Sequence, residues 1–191
     1  MIEIKHRYTN EVILTVDSDA LVGVDLSNRD LRGCDLSNSD LRDSNLSGSN
    51  LSGSDLRGSN LSGSNLINSN LSRSNLYNSN LSNCELSNCN LSGSNLSNCD
   101  LSRSNLRFTN LSRSDLDFAC MPLWCGDLKA GYDDKQIIQQ LYHVLSHVKY
   151  SPNASDDLKS KMLTDELIEL ANRFHRANEC GKLTERQHGT L

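Results

Sequence analysis

Leucine recurs at every fifth position from Leu21 to Leu116, twenty times without a slip, and Met121 continues the register. The positions around it keep the same period. The residue before each Leu is Asn eleven times and Asp seven times, with Glu85 and Ala20 the exceptions. Two before the Leu stands Ser twelve times and Cys four times (Cys34, Cys84, Cys89, Cys99). The residue after is Ser twelve times, and the next is Gly or Asn seven times each. A period of five fits neither the 3.6 of a helix nor the 2.0 of a strand. On a helix these leucines would wander round the axis, and on a strand they would alternate faces. A chain that turns a corner every five residues keeps all of them inside. Four such sides make a coil of twenty residues, with the leucines stacked in four internal columns. Gly and Asn fall at the corners, where positive φ is needed. Stacking at about 4.8 Å predicts about five coils and a length of roughly 25 Å.

This pattern, with SNLSG at residues 49–53 and 59–63 as its clearest copies, resembles the pentapeptide-repeat protein family. The resemblance covers residues 19–123 and implies a right-handed quadrilateral β-helix. The family's usual small inward residue is Ala, whereas this chain has Ser. A buried hydroxyl costs about 1–3 kcal/mol unless it finds a partner, so these serines are expected to bond backbone carbonyls or stack as ladders. Asp19 and Arg29 occupy the same inward position and disturb the first coil. Disorder, the other reading of a Ser/Asn/Gly-rich tract, does not hold an apolar residue in strict phase. Each buried Leu contributes about 1.5–3 kcal/mol against the ordering entropy.

A solenoid needs its ends covered. Residues 1–18 predict an N-terminal β-hairpin cap: Ile2 and Ile4 alternate with polar residues, and Val12, Ile13, Leu14 and Val16 follow a turn around Thr9-Asn10. Residues 124–191 predict a C-terminal helical hairpin. Asp133 and Gln136 resemble a capping box, and Ile137, Leu141, Val144, Leu145 and Val148 share one helical face. After Pro152 and Asn153, Ser155 starts a second helix with Asp156 and Asp157 in its first turn. Leu158, Met162, Leu167, Leu170, Ala171 and Phe174 line its inner face, and Gly181 marks its end. Phe108 and Phe118 face outward in the last coil and are expected to pack with Trp124 under these helices.

Composition narrows the chemistry. The chain has 191 residues, 36% hydrophobic and 5% aromatic, with net charge −5. It has no apolar run long enough for a membrane helix, and the start, MIEIKHRYTN, is too polar for a secretory signal, so export by that route is not expected. Its seven cysteines are an odd number with no secretion signal in view, so no disulfide framework is expected and the cytoplasm is the expected location. His143 and His147 are four apart on a helix, but HVLSH lacks the Glu of HExxH, so a partly exposed helix surface is the better reading. Cys120 and Cys125 lack CxxC spacing. Cys84, Cys89 and Cys99 act as compact core fillers on three sides of the coil. The repeat tract holds no histidine to serve as a base, and neither a Walker A loop nor a dinucleotide fingerprint occurs. No enzyme, cofactor or metal is expected.

Three functions fit what is left. The first is a non-enzymatic protein-binding or scaffold module whose partner the sequence does not name. The second is DNA mimicry, by which some proteins of the resembled family bind DNA gyrase and confer fluoroquinolone resistance. Mimicry needs a dense negative rod, since duplex DNA carries a charge about every 1.7 Å. Residues 19–123 hold eleven acids and eight arginines, a net of three negative charges, and Arg73 and Arg113 share one outward column. Gyrase is therefore the disfavoured partner, with Asp25, Asp30, Asp35 and Asp40 as the best candidates for an acidic strip. The third is an ordered surface, ice or glycan, bound through Ser arrays. Direct nucleic-acid binding and membrane insertion are not expected, and a dimer through an end cap stays open.

Overall fold

A computed structural model describes residues 1–121, 134–150, 153 and 155–173, and the chain divides into two compact units, Met1–Gly131 and Tyr132–Leu191. In the first unit the residue before each Leu pairs in parallel with the residue twenty positions on, from Asp25 with Asn45 to Asp100 with Cys120. Backbone bonds flank each bridge: Leu46 N donates to Asn65 O at 2.7 Å, and Asn65 N donates to Ser44 O at 2.9 Å. The chain therefore winds in twenty-residue coils that hydrogen-bond to their neighbours. Between bridges each side ends in a β-turn, as where Ser49 N donates to Leu46 O at 3.1 Å. The third residue of all twenty turns has positive φ, between 56° and 73°. Gly and Asn fill fourteen of these corners, which accounts for their period. Asp43, Arg73, Arg103, Phe108, Arg113 and Phe118 hold the others, each at a steric cost of about 1–2 kcal/mol for a bulky residue.

All twenty leucines are buried, Leu21 at 8% and Leu116 at 5% exposure and the rest at 2% or less. The small inward side chains beside them satisfy their polar atoms on leucine carbonyls. Ser59 Oγ and Ser79 Oγ both donate to Leu56 O at 2.6 Å, the first within its coil and the second from the next coil. Thr109 Oγ1 donates to Leu86 O at 2.6 Å and Cys99 Sγ to Leu76 O at 2.8 Å in the same cross-coil manner. Ser44 differs: its buried Oγ has no partner. Asp19 and Arg29 turn their side chains to solvent. Arg29 O still accepts from Asn50 N at 2.9 Å, so only the inner filling of the first coil is irregular.

Two strands precede the coils, β1 (Ile2–His6) and β2 (Val12–Val16), antiparallel with an irregularity between Ile4 and Lys5. The other edge of β1 pairs with β3 (Cys34–Asp35) in the first coil, giving the order β2-β1-β3. Ile4 is 1% exposed and supplies the apolar anchor. The His6 ring lies over Gly33, where a Cβ would come within 2.7 Å of Nε2. Arg7 Nη1 reaches on to Gly53 O at 3.0 Å.

The second unit contains α1 (Asp134–Tyr150), α2 (Asp156–Met162) and α3 (Asp165–Ala171). Ser155 caps α2, accepting from Leu158 N at 3.2 Å. The single second helix expected from the sequence is two, because Thr164 caps a new helix by accepting from Leu167 N. The inward stripe of α1 is also rotated from the expected one. Leu141, Tyr142, Leu145 and Ile138 face a cluster with Ile168, Ala171, Met162, Leu163 and Leu167. Ile137 and Val144 are exposed, as is Leu158 on α2. Asp133, Phe174 and Gly181 lie outside the described residues.

Candidate functional surface

The outward-facing positions are those before and after each Leu, together with the corner. The Asn or Asp before the Leu has a local task that explains its period. Its Oδ1 accepts from the backbone N–H two residues on, as from Ser27 to Asp25 at 3.0 Å and from Ser72 to Asn70 at 3.1 Å. Either residue type supplies that oxygen, so the repeat itself does not demand charge. Amides also bridge coils: Asn45 Nδ2 donates to Asp25 Oδ1 at 3.1 Å, and Asn105 Nδ2 to Glu85 Oε2 at 2.9 Å.

The four candidate acids do not form a strip. Asp25, Asp30, Asp35 and Asp40 head four different ladders, towards Asn45, Asn50, Asp55 and Asn60, so they ring the first coil on four sides. Two of them are also neutralised in place. Arg32 lies 2.6 Å from Asp30 and Arg42 lies 2.7 Å from Asp40, each pair straddling one buried Leu. Hydrogen bonding from these guanidinium groups lowers both carboxyl pKa values. Asp55 and Arg57 repeat the arrangement at 2.6 Å. The sequence signal for all three is the triplet Asp-Leu-Arg, which net charge alone does not reveal. At Asp25 the lowering comes first from hydrogen bonds with Ser27.

The sides differ in chemistry. On the side built around Leu51, Leu71, Leu91 and Leu111, the flanking residues are Asn50 and Ser52, Asn70 and Ser72, Asn90 and Ser92, and Asn110 and Ser112. Four successive coils are thus uncharged along both rows. Arg73 and Arg113 stand at corners of this side with Gly93 between them, and the Arg73 chain lies over that glycine. Phe108 and Phe118 are corner residues at 52% and 54% exposure. Their expected partner Trp124 lies outside the described residues.

The thiols are poor nucleophiles. Cys34, Cys84 and Cys89 are pushed up to about 11 and Cys99 to about 12 by burial. All four are free, and each fills a different inward column. Cys120 is exposed, and Cys125 lies outside the described residues. His143 and His147 both fall within α1, with side chains outside the described set. Among the described residues no group of three or more His, Cys, Asp or Glu could hold a metal ion. No helix among them is long and apolar enough to cross a membrane.

The sequence model of the pentapeptide repeats matches residues 21–58, 54–93 and 89–121, in eight copies. No curated protein matches the chain in sequence. Solved structures do. A pentapeptide repeat protein of the Arabidopsis thaliana thylakoid lumen shares 21% identity over 76% of this chain and 91% of its own, with TM-score 0.44. A pentapeptide repeat protein from Nostoc PCC 7120 shares 25% identity over 57% and 84%, with TM-score 0.31. QnrB1, a plasmid-mediated fluoroquinolone resistance protein, shares 17% over 65% and 84%, with TM-score 0.22. With its repeats matched from Leu21 to Met121, the chain belongs to the pentapeptide repeat family, whose coils form a right-handed β-helix.

Proposed function

We propose that the protein is a non-enzymatic binding or scaffold module, working in the cytoplasm through the outer faces of about five stiff coils. The observation that carries this reading is the local pairing of Asp30 with Arg32, Asp40 with Arg42 and Asp55 with Arg57. These pairs neutralise three of the eleven acids of residues 19–123 in place, and with a net of only three negative charges the coils are suited to a protein surface more than to the basic groove that grips DNA. The separation of the four buried thiols into four columns supports a reducing compartment. The test is affinity capture from an extract with the wild-type chain and with Ser72→Asp, Ser92→Asp and Arg57→Ser variants that remain folded. A partner retained by the wild type and lost with one face's variants supports the reading; capture indifferent to all of them counts against it.

One observation favours a second reading, an ordered surface such as a glycan or ice as the ligand. The Asn and Ser rows of the side from Asn50 to Ser112 are uncharged and repeat at the coil spacing, with Arg73 and Arg113 at its corners. Thermal hysteresis and glycan-array binding, each abolished by Ser72→Asp, would promote it over the first.

A further inference from the structure

β2 has an open hydrogen-bonding edge. It is the outer strand of β2-β1-β3, and among the described residues no hydrogen bond reaches its outer side. Open edges are ordinarily blunted by charge, proline or a bulge within the strand. Val12–Val16 carry neither charge nor proline; the strand's bulge lies at Ile13, the extra residue between the Val12–Lys5 and Leu14–Ile4 pairs, so Leu14–Val16 keep a regular edge, and Val12 is 48% exposed. The ends of the strand are different: Glu11 precedes it and Asp17 follows it, both exposed. Glu11, Val12 and Ile13 also line a shallow, open hollow with His6, Asp30 and Arg32.

We infer that this edge is a docking site for an extended partner segment with an uncharged core flanked by basic residues, added as an antiparallel strand. Backbone bonds supply affinity in such augmentation, and the flanks supply selection. The same acids reject a second copy of this chain. Two-fold pairing centred on Leu14 sets Val12 opposite the partner copy's strand end and Glu11 opposite Asp17 twice over, so like charges meet at both ends. A strand with Lys or Arg at those positions meets both acids favourably. The inference deepens the scaffold reading by giving one partner its chemistry, and its failure leaves the coil faces to be judged by the capture experiment.

The test uses the full chain and labelled peptides KVTVTVK and EVTVTVE, followed by fluorescence anisotropy. The lysine peptide is expected to bind at least about tenfold more tightly at low salt, with the gap closing as salt rises. N-methylation of its alternate amides should weaken it by about tenfold or more, the loss expected for hydrogen-bonded pairing. The Glu11→Lys/Asp17→Lys chain should prefer EVTVTVE, while a circular dichroism spectrum like that of the wild type shows the fold intact. Equal affinity for the two peptides, binding of neither, or indifference to N-methylation overturns the inference. So does a wild-type dimer by sedimentation that Leu14→Pro converts to folded monomer, since the occupant would then be a second copy.

Discussion

The Arg57 guanidinium grips both carboxylate oxygens of Asp55, with Nη2 to Oδ2 at 2.6 Å and Nε to Oδ1 at 2.8 Å, while the Asp55 side chain is 6% exposed. Hydrogen bonding from Arg57 is the main cause holding the Asp55 carboxyl below its ordinary range, with Arg7 adding to it. A carboxyl depressed in the folded state contributes stability above its unfolded pKa of about 3.9 and loses it as pH falls through the folded value. Arg57→Ser should therefore melt lower than wild type at pH 7. The difference between the two should shrink as pH falls below about 4. Melts of both chains from pH 7 to pH 2.5 check this, and a difference that stays constant contradicts it.

Leu71 and Leu76 have no exposed surface, whereas the Ser72 side chain is outward and partly exposed. Leu71→Asp or Leu76→Asp puts an unpaired carboxyl among leucines and should cost more than about 4 kcal/mol, enough to prevent folding. Ser72→Asp should stay within about 0.5 kcal/mol of wild type. Denaturant melts separate these outcomes, and equal losses would refute the inward and outward assignment.

Corner chemistry gives an opposite pair of effects. Arg103 sits at φ 59° and Gly58 at φ 65°. Arg103→Gly relieves a left-handed side chain and should stabilise the protein by about 0.5–1 kcal/mol. Gly58→Ala adds that strain and brings a Cβ to 2.6 Å from Asn38 Oδ1. It should cost about 1–2 kcal/mol. Chemical denaturation measures both.

Ser44 buries an unpartnered hydroxyl, while Ser74 donates to Leu71 O at 2.6 Å. Ser44→Ala should be neutral or stabilising, and Ser74→Ala should lose about 1 kcal/mol. A matched loss at the two positions would show that Ser44 finds a partner in solution.

The leucine period carried the coil geometry, because one apolar residue in five and a permissive corner two residues later admit a single way to bury every Leu. The Asn or Asp at the preceding position serves mainly through its oxygen, which caps a backbone N–H, as at Asn70, and that task is invisible to net charge. Net charge could not reveal that Arg32 and Arg42 sit on their own acids, because that depends on which side chains straddle one Leu. Nor could it reveal that four acids five residues apart fall on four sides, which follows from the coil closing every twenty. In α1 the two candidate stripes overlap at Leu141 and Leu145, and contact with Ile168 and Ala171 on α3 decided between them. Thr164 was legible as a cap, but the apolar positions of α2 and α3 continue through it and concealed the break.

The central claim, that these coils present locally paired charge and not a DNA-like acidic face, is tested most directly by a gyrase supercoiling assay with the purified chain. The account predicts no inhibition at stoichiometric concentrations, for wild type and for a chain carrying Asp25→Asn, Asp30→Asn, Asp35→Asn and Asp40→Asn alike. Potent, salt-sensitive inhibition by the wild type that the four substitutions abolish would contradict it.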